Sequence, residues 1–121
     1  MMKLDSVLVF SEHPEKLAAF YEKVFAVKPG WSEGQYVGFD IGGSYFMVGP
    51  HDKVQGMSKE PMRVMVNFGV SDVKAEFDRV KALGAEVVAV PYQPGEAKDM
   101  WLCTFADPDG NYFQFGSEMK K

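Results

Sequence analysis

The chain has 121 residues, 46% of them hydrophobic and 14% aromatic, which is enough apolar material for one compact domain or two small fused halves and too much for a disordered segment. A net charge of -4 and a pI near 5.1 leave no basic stripe to neutralise phosphates, so nucleic acid is not an expected partner. No apolar run reaches the length of a membrane span, the start Met1-Met2-Lys3-Leu4-Asp5 turns acidic too early for a secretory signal, and the single Cys103 excludes an intramolecular disulfide framework; the expected location is the cytoplasm.

Leu4 to Phe10 is a β-branched and aromatic run that predicts a strand, with Ser6, Leu8 and Phe10 on one side and Val7 and Val9 on the other. Pro14 to Val27 carries Leu17, Phe20, Tyr21, Val24 and Phe25 at helical spacing; Pro14 suits the first turn, and Glu15 complements the helix dipole there. Pro29-Gly30 is expected to end this helix. Trp31 to Glu33 reads as a short strand, Gln35 to Ile41 as a longer one, and Gly42-Gly43 as the turn into a strand from Tyr45 to Val48.

Gly49 to Pro61 is rich in Gly, Pro and charge without periodicity, and reads as a linker between a first module of about 1–50 and a second of about 62–121. The pattern then restarts. Arg63 to Val70 alternates like a strand, and Ser71-Asp72 offers a helix N-cap. Val73, Phe77, Val80 and Leu83 form an apolar helix face, and Gly84 suits its C-cap. Strands are expected over Glu86 to Tyr92, Asp99 to Phe105 and Asn111 to Gly116, with Pro94-Gly95 as a turn.

The two halves share more than their order. Gly43, Tyr45, Met47 and Gly49 fall opposite Gly110, Tyr112, Gln114 and Gly116, each glycine-led stretch running into an alternating strand, so the chain reads as a duplicated strand-helix-strand-strand-strand unit. That repeat, with Phe20-Tyr21 late in the first helix and Asp107-Pro108-Asp109-Gly110-Asn111 before the last strand, resembles the vicinal oxygen chelate superfamily, the group of glyoxalases, bleomycin-resistance proteins and extradiol dioxygenases. The resemblance covers nearly the whole chain. It implies an α+β fold of two tandem βαβββ modules whose curled mixed sheet surrounds a cleft, helices outside, commonly completed as a homodimer.

Metal-dependent members of that superfamily hold a divalent cation with His, Gln or Glu at four strand positions, which the resemblance carries onto Ser6, Met47, Met65 and Gln114. A neutral hydroxyl and two soft thioethers are poor ligands for such cations, and Gln114 is a neutral oxygen donor, so no metal and no other cofactor is expected. His13 and His51 lie next to the first helix and beyond the end of a strand, where they read as surface or capping residues. The resemblance implies a cleft face holding Ser6, Leu8 and Phe10, Tyr45 and Met47, Met65 and Asn67, and Tyr112 and Gln114. Val64, Val66 and Phe68 are then expected beneath a helix. Trp31, Tyr36, Trp101 and Cys103 are further candidates for stacking or lining, although Trp and Cys in a small domain are also ordinary core residues. No Ser-His-Asp constellation or phosphate-cradling glycine loop is present, and no catalytic residue is assigned.

Three functions fit these residues. A metal-free binder of an aromatic or amphipathic small molecule, similar to the bleomycin-resistance proteins, comes first. The alternatives are a glyoxalase- or dioxygenase-like enzyme, which requires a metal at unsuitable positions, and a ligand-free dimeric interaction module whose cleft is filled by side chains such as Phe10, Met47 and Met65. The fold alone does not separate them.

Overall fold

A computed structural model of the chain describes residues 1–118 and shows an α+β fold. The chain divides between Gly56 and Met57 into two compact units. The first contains β1 (Ser6–Phe10), α1 (Pro14–Phe25), β2 (Trp31–Glu33), β3 (Tyr36–Ile41) and β4 (Ser44–Gly49). The second contains β5 (Val66–Val70), α2 (Val73–Ala82), β6 (Glu86–Tyr92), β7 (Leu102–Ala106) and β8 (Tyr112–Ser117). Each unit forms its own mixed four-stranded sheet, ordered β1-β4-β3-β2 and β5-β8-β7-β6. In both, the first strand runs parallel to the last and every other pair is antiparallel. The tandem βαβββ order is therefore the architecture of the molecule.

In the first unit, α1 buries Leu17, Tyr21 and Val24, and the sheet buries Phe39, Phe46 and Val48. The Tyr21 and Phe46 rings meet at 4.6 Å between centroids, and Phe25 meets Phe39 edge-on at 5.4 Å. Each large side chain removed from water stabilises the unit by about 1.5–3 kcal/mol. Pro14 opens the helix, where its missing N–H costs nothing. The helix stops earlier than expected, at Phe25, because Ala26 takes the left-handed conformation (φ 55°) and its N–H closes on the Glu22 carbonyl at 2.9 Å. Pro29-Gly30 comes too late to be the terminator.

The second unit repeats the plan with Val73, Phe77 and Val80 over Phe105, Phe113 and Phe115, the Phe77 and Phe105 rings stacking at 5.4 Å. Asp72 caps α2 as expected, its Oδ1 accepting the Ala75 N–H at 3.0 Å. Leu83 lies past the helix and is exposed, so it does not extend the apolar face.

β3 and β8 start one residue later than the alternation suggested, at Tyr36 and Tyr112, and three strands start later still. β1 begins at Ser6, leaving Leu4 exposed. β5 begins at Val66, because the Arg63 N–H bonds the Glu60 carbonyl and the Arg63 guanidinium pairs with the Glu60 carboxylate at 2.8 Å, so a turn holds this stretch. Val64 is exposed rather than beneath a helix, and Met65 precedes the strand. β7 begins at Leu102, after turns in which Ala97 N–H bonds Pro94 O and Met100 N–H bonds Ala97 O.

Candidate functional site

Strand register sorts the side chains of each sheet, since directly paired residues share a face. In the first unit the face away from α1 has three rows. Ser6, Tyr45 and Asp40 form one; Leu8, Met47, Gly38 and Trp31 the next; Phe10, Gly49, Tyr36 and Glu33 the third. Two glycines decide its relief. A Cβ on Gly38 would stand 3.0 Å from Tyr45 Cδ2 and 3.5 Å from the Trp31 ring, and one on Gly49 would overlap the Tyr36 ring. The missing side chains therefore seat Tyr45 and Tyr36 directly on the backbone. Trp31 and Tyr36 keep 40% and 42% of their surface exposed, and Leu8 53%. The Tyr36 hydroxyl donates to the Pro50 carbonyl at 3.3 Å, and His51 sets its ring edge-on to Phe10 at 5.2 Å. Gln35, in the β2–β3 turn, anchors this hairpin to α1 by donating to Glu15 Oε1 at 2.6 Å.

The corresponding face of the second unit is built from amides. Asn67, Gln114, Thr104 and Ala89 form one row; Gly69, Gly116, Leu102 and Tyr92 another; Tyr112 pairs with Ala106. Gln114 Nε2 donates to Thr104 Oγ1 at 3.0 Å. A Cβ on Gly116 would stand 2.9 Å from both Asn67 Oδ1 and Leu102 Cδ2, so this glycine is a floor for the neighbouring strands, as Gly49 is in the first unit. The sequence repeat thus marks structurally equivalent floors, one covered by a tyrosine and the other by a leucine and a carboxamide.

The structure brings most of the expected residues onto these two faces: Ser6, Leu8, Phe10, Trp31, Tyr36, Tyr45 and Met47 on the first sheet, Asn67, Tyr112 and Gln114 on the second. Three do not join them, Met65 being the first because it stands before β5, outside the pairing with β8. Cys103 pairs with Phe115, points toward α2 and is fully buried, and burial pushes its thiol up to about 11. Trp101 precedes β7 and lies under Lys74 of α2, whose Nζ stands 4.1 Å from the ring centroid. Both Cys103 and Trp101 were expected as stacking or lining residues; the one-residue parity of β7 puts Leu102 and Thr104 on that face instead. Thr104 was readable from that parity, because Cys103 and Phe105 form the apolar alternate and Thr104 the polar one. Glu33, Gly38 and Asp40 were missed because they become significant only through register with Tyr36, Trp31 and Tyr45.

The four positions assigned to metal ligands divide two and two between the units. Ser6 pairs with Tyr45 while Met47 pairs with Leu8; Gln114 pairs with Asn67 while Met65 stands before β5. A hydroxyl, two soft thioethers and a single neutral carboxamide oxygen do not fit a hard or borderline divalent cation. His13 occupies the N-cap position of α1 without a side-chain cap bond, and its N–H donates to Ser11 Oγ at 2.9 Å. His51 Nδ1 accepts the Lys53 N–H at 3.1 Å and lies 3.3 Å from Asp52 Oδ1. Among the described residues, no three of His, Cys, Asp and Glu gather as a metal site would require.

Residues 6–115 match the family described as Glyoxalase-like domain. A search of curated proteins finds no match. Among solved structures, the chain is similar to a glyoxalase/bleomycin resistance protein/dioxygenase family enzyme from Burkholderia phytofirmans PsJN, with 21% identity, a TM-score of 0.76, and coverage of 98% of this chain and 100% of that one. It is similar to lactoylglutathione lyase from Agrobacterium tumefaciens, with 16% identity, a TM-score of 0.76 and coverage of 97% and 94%. It is also similar to the fosfomycin resistance protein FosX from Listeria monocytogenes, with 20% identity, a TM-score of 0.71 and coverage of 100% and 94%. At these identities the likeness is one of fold.

Proposed function

The chain belongs to the Glyoxalase-like domain family, and on that premise we propose that it is a metal-free binding protein that holds an aromatic or amphipathic small molecule against the open faces of its sheets. The observation that carries this reading is the first unit's face, where Gly38 seats the Tyr45 ring beside a part-exposed Trp31 and Gly49 seats the part-exposed Tyr36 ring. Apolar and aromatic surface with a few placed polar groups is what small-molecule sites are made of. On the second sheet Asn67 and Gln114 supply groups of the orienting kind, the buried Thr104 holding the Gln114 carboxamide in place. The donor set described above favours binding over metal-dependent lyase or dioxygenase chemistry. The proposal includes a homodimer in the cytoplasm, with neither nucleic acid nor membrane as partner; no helix among the described residues is long and apolar enough to cross a membrane.

The test uses untagged protein purified without chelator. Elemental analysis and calorimetric titration with zinc, nickel, manganese and iron(II) are expected to show no bound metal and no binding heat. A thermal-shift screen of aromatic, cationic and antibiotic-like compounds is expected to yield ligands that raise Tm with concentration. One tightly held metal per chain would overturn the reading in favour of a metal-dependent enzyme, with Gln114 and His51 the first residues to vary. A metal-free protein that no compound stabilises would leave the interaction module.

A further inference from the structure

We infer that the open face of the first unit selects a planar organic cation, stacked on Trp31 and Tyr36 and neutralised by Glu33 and Asp40. This rests on the small-molecule reading above and adds the charge of the ligand and the unit that reads it.

Register carries the argument. Glu33 pairs with Tyr36, and Asp40 with Tyr45, so both carboxylates stand on the aromatic face, in its outer rows. None of the strand positions that make up this face is a lysine or an arginine. The Glu33 side chain is exposed and its carboxylate makes no hydrogen bond or ion pair with another described residue, so its charge is available to a guest. Asp40 Oδ1 accepts the Gly43 N–H at 3.0 Å, which holds that carboxylate in place at the end of β3. Indole and phenol rings attract cations through their negative faces, and the chain makes this contact internally where Lys74 covers Trp101. An anionic ring would meet two like charges, while a neutral ring would gain the stacking alone. On the second unit's face, with Asn67, Gln114 and Thr104 at its centre, the carboxylate of Glu86 is separated from Tyr112 by Ala106, and no carboxylate of a strand position there is paired directly with an aromatic ring.

The test is calorimetry at low ionic strength and mildly alkaline pH with three matched bicyclic probes: N-methylquinolinium, quinoline and quinoline-6-carboxylate. The cation is expected to bind about tenfold tighter than the neutral ring, and the anion most weakly. Glu33→Gln with Asp40→Asn, which retains an acceptor for Gly43, is expected to bring cation and neutral ring within about threefold of each other. Glu33→Gln alone, at a position that holds no other group, is expected to give a partial loss and serves if the double variant fails to fold. A neutral probe that binds as well as the cation, or a preference that survives both substitutions, would overturn the inference and leave the small-molecule reading intact. Binding of none of the three would overturn the inference and count against that reading as well.

Discussion

Gly49 is the residue on which most depends for its size. Its place in β4 requires no unusual backbone, so a substitution there acts through space rather than through φ. Gly49→Ala puts a methyl group where the Tyr36 ring lies, and the ring must leave the sheet. The expected cost is about 1–3 kcal/mol, read from chemical denaturation, together with lost ligand stabilisation. Adding Tyr36→Ala to Gly49→Ala is expected to return part of that stability, because the clash has gone; strictly additive effects would show that the two residues are not coupled. Cys103 makes the opposite kind of prediction. Its folded pKa is raised from 9.0 to about 11 because burial disfavours the thiolate. The folded state therefore binds the proton more tightly than the unfolded state, its advantage is complete below pH 9, and it is lost as pH rises through about 11. Wild type is expected to lose stability over that window by an amount on the order of 2 kcal/mol that Cys103→Ala does not lose, although the variant starts from a lower value because of its cavity. Below pH 9 the thiol should also resist alkylation until the protein is denatured.

Among the elements, α2 is the one whose existence rests most visibly on a single polar bond. It has ten residues, too few to stand alone in water, and its side-chain cap is the Asp72 carboxylate on the Ala75 N–H. Asp72→Ala is expected to cost about 1 kcal/mol, and Asp72→Asn less than half of that, measured as a shift in the denaturation midpoint. This cap was legible from sequence because Ser71-Asp72 stands directly before a helical apolar spacing. So were the strands of the repeat, because glycine and alternation mark them in both copies. Less legible were the starts of β5 and β7. Val64 and Met65 continue the alternation of β5, yet the Glu60–Arg63 turn takes up the backbone just before them. For β7 the turns from Pro94 to Met100 delay the strand, and the parity that carries Cys103 inward and Thr104 outward cannot be read until the starting residue is known. The candidate site was legible to the same extent: single residues could be placed on faces, while the pairings that put Glu33 beside Tyr36 and Gly38 beside Trp31 are products of register.

For the whole molecule, the exposed apolar surface bears on the proposed homodimer. Val88, Val90 and Tyr92 are exposed along β6, an edge strand, and Val90 retains 62% of its surface. Exposed edges that carry apolar side chains invite pairing. Sedimentation at micromolar concentration is expected to give twice the chain mass of 13.5 kDa, and Val90→Lys is expected to weaken association about tenfold or more without loss of helical circular dichroism. Wild-type protein that sediments as a monomer would remove the dimer from the proposal. Each sheet closes by laying its first strand beside its last, so β1 must wait for β4, about forty residues later, while β3 and β4 can zip as a hairpin at once. The parallel strand is therefore the late arrival in each unit. On a ribosome the first sheet has all its strands before β5 is synthesised, so a nascent chain halted just beyond Gly56 has already received every partner that its sheet needs.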